Sequence, residues 1–156
     1  MHNTMAGQII VEKKSFDELT TRELYALLKA RAEVFIVEQN CPYQDLDETD
    51  FCATHIILRN EGAVVAYSRL FRGEEAGLWH IGRVLTTRRG ENWGRRVMKE
   101  AIKEAKALGA DAIEIEAQNY AVGFYERLGF RVCSGAFLLD NILHKKMKLV
   151  VRKSLF

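Results

Sequence analysis

The sequence predicts an α/β (α+β) fold, a mixed, mostly antiparallel sheet of about six to seven strands with helices on both faces. Two apolar runs, 54–58 and 63–71, are separated by Asn60-Glu61-Gly62, which is typical of an antiparallel hairpin turn. A strand over 78–86, a helix over 93–108 and a strand over 111–117 then follow in order. This order indicates one parallel strand pair within the sheet.

The N-terminal part of the chain adds one strand, over 8–11, and one helix. Thr20 and Glu23 form a capping box that begins this helix, and Pro42 follows soon after its expected end near Val37. Arg31 interrupts the apolar stripe of the helix, where a charged side chain either extends to the surface or points into a pocket.

The C-terminal part alternates short elements with glycines. Gly109 ends the helix over 93–108, and Gly129 ends a short helix over 120–128. Two last strands are predicted over 130–133 and 143–150. Because no linker or repeat divides the chain, we expect a single domain over 1–156.

The composition and charge of the chain exclude several classes of function. The 156 residues are 48% hydrophobic and 28% charged, which is typical of a globular domain. A net charge of +2 is too small to indicate a nucleic-acid-binding protein, and no apolar run is long enough to cross a membrane. The first residues lack a signal-peptide pattern, and three cysteines without metal-site spacing fit a reducing compartment. We expect a cytoplasmic protein with no metal, nucleic-acid or membrane partner, and a homodimer is one option for its oligomeric state.

The stretch from Ile81 to Met98 combines the end of a strand, a turn with Gly90 and Gly94, and the start of a helix. Such a turn leaves backbone N–H groups without partners, and the helix dipole adds to their attraction for anions. Four arginines supply charged, forked donors suited to phosphate: Arg88, Arg89, Arg95 and Arg96. The turn predicts a phosphate or pyrophosphate site, and a solvated arginine cluster is the simpler alternative.

An acidic, turn-rich segment follows the first helix, over 37–50. It brings an aromatic side chain together with several carboxylates and an amide, as substrate-binding loops often do: Glu38, Gln39, Tyr43, Asp45 and Asp47. Its charge favours a cationic acceptor such as an amine, because opposite charges attract a partner. A purely solvated loop is the alternative.

Two motifs together resemble those of one family. Residues 84–94, V-L-T-T-R-R-G-E-N-W-G, resemble the pyrophosphate loop V-x-P-x-x-[RQ]-x-x-G-x-[GA] of the GNAT superfamily of N-acetyltransferases. Residues 119–130, N-Y-A-V-G-F-Y-E-R-L-G-F, resemble its N-x-x-A-x-x-[FL]-Y-x-x-x-G-F helix. Residues 31–43, R-A-E-V-F-I-V-E-Q-N-C-P-Y, are similar to the ElaA-like branch. The resemblance extends over nearly the whole chain.

The resemblance implies an enzyme that moves an acetyl group from acetyl-CoA to a small-molecule or peptide amine. Backbone N–H groups over 89–95 would bind the pyrophosphate, and the backbone of Val84 and Thr86 would pair with the pantetheine arm. The Asn119 side chain would hold that arm. The implied cofactor contacts are Val84, Leu85, Thr86, Arg89, Gly90, Glu91, Asn92, Trp93, Gly94, Arg95, Asn119 and Tyr125.

The sequence departs from the family pattern at two positions. Thr86 replaces the usual proline, and Asn92 replaces a glycine. Asparagine adopts left-handed backbone more readily than most residues do. We therefore expect the turn to keep its shape.

Acetyl transfer from a thioester needs a group that polarises the carbonyl, an acid for the leaving thiolate and a base for the amine. A backbone N–H near Val84 or Leu85 is suited to the first task, and the family motif implies Tyr125 as the acid. An alkylamine with a pKa of about 10.4 needs a base, and the sequence offers Glu38, Glu116, His80 and His144. Glu38 and Glu116 are the preferred candidates. Because no cysteine has an obvious histidine partner, we expect direct attack by the amine.

Three alternatives remain at this point. The chain would have the same motifs if it were a non-catalytic acyl-CoA-binding module, or a transferase that uses another acyl-CoA. A nucleic-acid binder would use the arginines near the turn, but aromatic residues are not interleaved with them as stacking would require.

Overall fold

The computed structural model describes residues 8–152, which form eight strands: β1 (Ile9–Ser15), β2 (Thr54–Asn60), β3 (Ala63–Arg72), β4 (Leu78–Thr86), β5 (Ala112–Gln118), β6 (Arg131–Val132), β7 (Phe137–Leu139) and β8 (Ile142–Val150). The α-helices in this range are α1 (Thr21–Arg31), α2 (Thr49–Cys52), α3 (Trp93–Ala107) and α4 (Val122–Glu126). The expectation that the N-terminus is no signal peptide concerns residues that lie outside this range.

The strands form one sheet in the order β1-β2-β3-β4-β5-β8-β6, and β7 also pairs with β8. Among the strands of residues 8–152, only β4 and β5 run parallel, so the predicted mixed, mostly antiparallel sheet is confirmed. The strand that the sequence did not predict is β7. Its three residues are all apolar, but the run is too short to show the alternation that is typical of a strand. Its signal is the following Asp140-Asn141 pair, whose φ angles of 50° and 64° match a tight hairpin turn.

Helices cover both faces of the sheet, as predicted. On β2, Ile56 and Leu58 pack in the cluster that contains α3, whereas Ile57 packs with Leu27 of α1. Since neighbouring strand residues point to opposite faces, α3 and α1 lie on opposite sides. Within residues 8–152, no helix combines the length and the apolar character that a membrane crossing requires.

Helix α1 begins at the predicted capping box. Thr20 Oγ1 accepts from the Glu23 N–H at 3.1 Å, and Glu23 Oε1 accepts from the Thr20 N–H at 3.0 Å. The helical backbone continues beyond α1 as a π-helix over Ala32–Glu38, close to the expected end at Val37. Such π-helical segments are rare and frequently occur at functional sites.

Strands β4 and β5 pair over only three residues each, Leu78–His80 with Ala112–Glu114, and then separate. On its other side β4 contains a bulge, because its register with β3 shifts between Tyr67 and Arg69. Arg83 lies in this bulge with φ of 51°. The separation opens the sheet in its middle, directly before the turn that leads to α3.

Candidate active site

A cleft of about 280 Å³ lies where β4 and β5 separate. The two strands, the π-helix, α4 and the β7–β8 hairpin all contribute to its walls. Several residues that the sequence singled out meet here, although they lie far apart in the chain: His80, Val84, Glu116, Tyr125 and His144. The structure therefore brings the predicted acid and three of the four candidate bases into one cavity.

Tyr125 enters the cleft from α4. Its ring packs edge-on against Phe124 and Phe130, at centroid distances of 5.0 and 6.0 Å. Burial, with a smaller contribution from Tyr120, raises the pKa of Tyr125 to about 12. The hydroxyl is therefore protonated at neutral pH, which is the state that an acid requires.

The turn between β4 and α3 leaves its backbone donors free. Within residues 8–152, none of the N–H groups of 88–95 has a protein acceptor, and the next amide, that of Arg96, donates to the Asn92 carbonyl at 2.9 Å. The arginines of this turn are exposed. Free amides at the N-terminus of a 15-residue helix, surrounded by cations, fit a pyrophosphate group.

Three successive residues give this turn its shape. Gly90, Glu91 and Asn92 have φ angles of 91°, 52° and 55°. Asn92 is thus left-handed, as its replacement of the family's glycine led us to expect, and it is the N-cap of α3. The backbone at this position accepts asparagine without a rearrangement of the turn.

The other predicted cofactor contacts differ in whether their side chains are buried or exposed. The side chains of Leu85 and Trp93 are buried in the two core clusters, so only their backbone can take part. Thr86, Glu91 and Arg95 are exposed around the turn. Asn119 is exposed in a 3₁₀ turn before α4 and does not line the cleft. Its contact with a pantetheine arm stays a prediction.

The candidate bases lie in different surroundings. Glu38 lines a separate depression, with Lys29, Arg59 and Thr87, and does not reach the cleft. Glu116 lines the cleft on β5 and is exposed, directly opposite Lys146 of β8. A role for Glu38 as the base therefore finds no support in its position.

The two histidines also differ. His80 stacks on Phe71 at 5.3 Å, and its Nε2 lies against Gly73, 2.7 Å from where a Cβ of that glycine would stand. His144 is 7% exposed, stacks on Phe137 and donates from Nδ1 to the Ile142 carbonyl at 2.7 Å. Its second ring nitrogen has no protein partner within residues 8–152.

The aspartates of the acidic segment are paired with arginines, which corrects the expectation that their charge attracts a cation. Arg31 is 1% exposed and donates to Asp45 at 3.0 Å and to Asp50 at 2.7 Å. Arg69 donates to Asp47 and Asp50, and Arg83 of the bulge donates to Asp45 at 2.7 Å. Three arginines thus neutralise three aspartates. The signal that could have indicated this was Arg31 in an apolar stripe, followed by an aspartate-rich segment.

Two contacts that the sequence did not predict join residues that line the cleft. The side-chain amides of Gln39 and Gln118 exchange hydrogen bonds of 3.2 and 3.1 Å. Cys41 Sγ donates to the Asp140 carbonyl at 2.9 Å. Together they join the end of the π-helix to β5 and to the β7–β8 hairpin.

The chain matches the acetyltransferase (GNAT) domain over residues 18–151. It is a member of the GNAT acetyltransferase family. Among its relatives, the UPF0039 protein C11D3.02c of Schizosaccharomyces pombe is 37% identical over 141 residues, 87% of this chain and 93% of that protein. Protein ElaA of Escherichia coli is 35% identical over 133 residues, 81% of this chain and 87% of ElaA. The predicted resemblance to the ElaA-like branch is confirmed.

Solved structures agree with this GNAT assignment. An acyl-CoA N-acyltransferase from Pseudomonas aeruginosa has a TM-score of 0.84 and 35% identity, and the match covers 90% of this chain and 99% of that one. The crystal structure of Escherichia coli ElaA also has a TM-score of 0.84, with 32% identity and coverage of 94% and 100%. The protein therefore has the GNAT fold and belongs to a family of acyltransferases that use acyl-CoA.

Proposed function

We propose that this GNAT protein transfers an acetyl group from acetyl-CoA to a primary amine by direct attack. The observation that carries the proposal is that one strand, β4, joins three features that acetyl transfer from acetyl-CoA requires. These are the free amides of 88–95, the separation of β4 from β5, and the hydroxyl of Tyr125 in the cleft. We further propose a cytoplasmic location, because Cys41, Cys52 and Cys133 are all free thiols.

In the proposed reaction, the amides of 88–95 bind the pyrophosphate, and β4 beyond His80 receives the pantetheine arm on the side where β5 is absent. A backbone N–H at the bulged end of β4 donates to the thioester oxygen as its charge develops. The amine nitrogen forms a bond to the carbonyl carbon while the carbon–sulfur bond breaks. Tyr125 gives its proton to the leaving thiolate.

The cleft favours a small acceptor with an apolar or aromatic body. The Gln39–Gln118 and Cys41–Asp140 contacts bridge elements that line the cleft, and we infer that these bridges leave little room for an extended peptide. Aromatic and aliphatic side chains form much of the wall, including Phe35, Tyr43, Phe71, Tyr120 and Leu139. Since the aspartates of 45–50 are paired with arginines, recognition of a polycation finds little support.

The test is steady-state thiol release from acetyl-CoA with a panel of arylalkylamines, polyamines and lysine peptides. We expect turnover with the arylalkylamines, and Tyr125→Phe should lower kcat about 10²-fold with little change in cofactor binding. Tyr25→Phe is the matched control, because it removes a hydroxyl from an exposed side chain outside the cleft.

The same assay separates the alternatives. Faster turnover with propionyl-CoA or a longer acyl-CoA would show that acetyl is not the preferred group. If acetyl-CoA raises Tm but no amine is consumed, the protein is a binding module and the proposal fails.

A further inference from the structure

We propose that His144 is the general base that removes the proton from the attacking amine. This inference rests on the proposed function, because it assigns a role within the same reaction. The candidate bases differ in the face of the sheet on which their side chains lie. Gln118 and His144 are register partners on β5 and β8, so their side chains share one face.

That face is opposite to the one covered by α3. On β5, Ile113, Ile115 and Ala117 are buried in the α3 cluster, whereas Glu116 and Gln118 alternate with them. Gln118 bonds to Gln39 at the end of the π-helix, so this face of the opening is the one that the π-helix lines. Tyr125 comes from the α3 side, since its ring packs on Phe124 and Phe130 near that cluster. Acid and base thus approach the reacting carbon from opposite sides.

The hydrogen bond to Ile142 fixes the tautomer of His144. A backbone carbonyl can only accept, so Nδ1 carries the hydrogen and donates at 2.7 Å. Nε2 of the neutral ring then carries the lone pair. It has no protein partner within residues 8–152, while the ring lines the cleft. A lone pair held in one orientation at a cavity wall is what proton abstraction requires.

The other candidates satisfy fewer of these conditions. Glu38 lies outside the cleft, and His80 Nε2 lies against Gly73. Glu116 is exposed, faces Lys146 across the strands and is not fixed by a hydrogen bond within the described residues. Imidazole also changes charge nearer to neutral pH than a carboxylate does. This suits a general base, which must release the proton to solvent before the next catalytic cycle.

The proton balance is simple. Nε2 takes one proton from the amine as the carbon–nitrogen bond forms, and the imidazolium returns it to solvent. Tyr125 supplies the proton that the sulfur gains and is reprotonated from solvent. The net products are the amide and the free thiol of coenzyme A.

The experiment uses acetyl-CoA and the best amine of the panel, and it measures kcat/KM from pH 5 to 9. His144→Asn keeps a side-chain N–H for the Ile142 carbonyl but removes Nε2. We expect kcat/KM to fall by about 10²-fold or more and the ascending limb of the pH profile to disappear, with the Tm increase on acetyl-CoA retained. Leu143→Ala, at an exposed neighbour on the same strand, is the control for β8.

The pH profile has to separate His144 from the other titratable groups that line the cleft. They include Cys41, His80, Glu116, Tyr120, Tyr125 and Asp140, and its own strand contributes Lys146. His80→Asn is the control for the second histidine and should keep the ascending limb. Carboxyl groups ordinarily titrate below this range and phenols and amines above it. A second measurement uses His144→Ala, whose cavity should allow free imidazole to restore activity in proportion to its concentration.

An unchanged ascending limb in His144→Asn would overturn the assignment, as would a limb that disappears in Glu116→Gln instead. These results are distinguishable from failure of the proposed function. In that case the wild-type protein itself consumes no amine, and both proposals fall together.

Discussion

The turn after β4 is rich in arginine and the acidic segment over 37–50 is rich in aspartate, but their charges find partners to very different degrees. In the acidic segment, Asp45 accepts from Arg31, Arg83 and the Tyr43 hydroxyl at 2.7 to 3.0 Å. In the turn, the amides of 88–95 have no acceptor within the described residues, and the arginines are exposed. The aspartates of the first region are paired within the protein, whereas the donors of the second are left free for an anion.

The difference shows that charge in the sequence does not by itself indicate a binding site. Buried charges are retained where partners compensate them, and the chain then gains no attraction for a ligand. Unpaired donors at a helix N-terminus keep their full potential for an anion. Four predictions test this contrast, and each changes the pairing in one of the two regions.

The largest effect is expected from Asp45→Ala. This change leaves the 1%-exposed Arg31 side chain with an unpaired Nε, and it removes the carboxylate that accepts from Arg83 Nε at 2.7 Å. Breaking a buried pair by removal of one partner costs about 3–5 kcal/mol. We expect the free energy of unfolding in urea to fall by that amount.

The matched control is Lys13→Gln, which removes a half-exposed cation 3.3 Å from Glu100. Such surface pairs contribute less than about 1 kcal/mol. If the free energy of unfolding fell equally in Asp45→Ala and Lys13→Gln, the acidic segment would not be an internal structural network.

The second prediction concerns the turn. A Cβ at Gly94 would lie 3.4 Å from Phe124 and 3.7 Å from the Thr86 methyl, so a large side chain would displace the end of β4 from α4. Gly94→Trp should weaken acetyl-CoA binding about 100-fold, the loss expected when one or two amide–phosphate bonds cannot form. Isothermal titration calorimetry measures the change.

Gly94→Ala is the control, because its Cβ makes only ordinary van der Waals contact at that distance. It should bind acetyl-CoA almost as the wild type does. A folded Gly94→Trp variant with unchanged affinity would remove the turn from the cofactor site.

The sequence made the turn predictable because its parts are contiguous. Gly90, Asn92 and Gly94 lie within five residues, and the left-handed backbone at Gly90 and Asn92 follows from their types. The helix with Tyr125 was equally local. The mixed sheet followed from hairpin turns and the strand–helix–strand order, which are also short-range signals.

The sequence could not predict the pairing of the acidic segment. Arg31 and Asp45 are separated by 14 residues, and Arg83 and Asp45 by 38, so only tertiary structure brings them together. The same applies to Gln39 and Gln118, which are 79 residues apart. Arg31 left two interpretations open, and burial against two aspartates decides between them.

The third prediction returns to the left-handed backbone of Asn92, with φ of 55°. Asn92→Gly should leave Tm nearly unchanged and acetyl-CoA affinity within about threefold, because glycine also adopts this conformation. Asn92→Val should cost about 1–2 kcal/mol, or about 2–8 °C in Tm, since a β-branched residue is strained there. If valine were tolerated as well as glycine, the shape of the turn would not depend on this residue.

The smallest effect is expected from the pH dependence of Asp47→Asn. Hydrogen bonds from Arg69, and then its positive charge with those of Arg83 and Arg31, hold the pKa of Asp47 below its ordinary value despite partial burial. A carboxylate whose folded pKa is depressed stabilises the fold above its unfolded pKa of about 3.9, and this stabilisation is lost as the pH falls through the folded value. The Tm difference between wild type and Asp47→Asn should therefore be constant from pH 7 to about 5 and shrink below about pH 4.

Because Asp47 is 39% exposed, the difference should amount to no more than a few degrees. Glu48→Gln changes an exposed neighbour in the same segment and is the control. Its Tm difference from wild type should not shrink below pH 4 as that of Asp47→Asn does. A Tm difference that persists unchanged at pH 2 would mean that the charge of Asp47 does not contribute to the network.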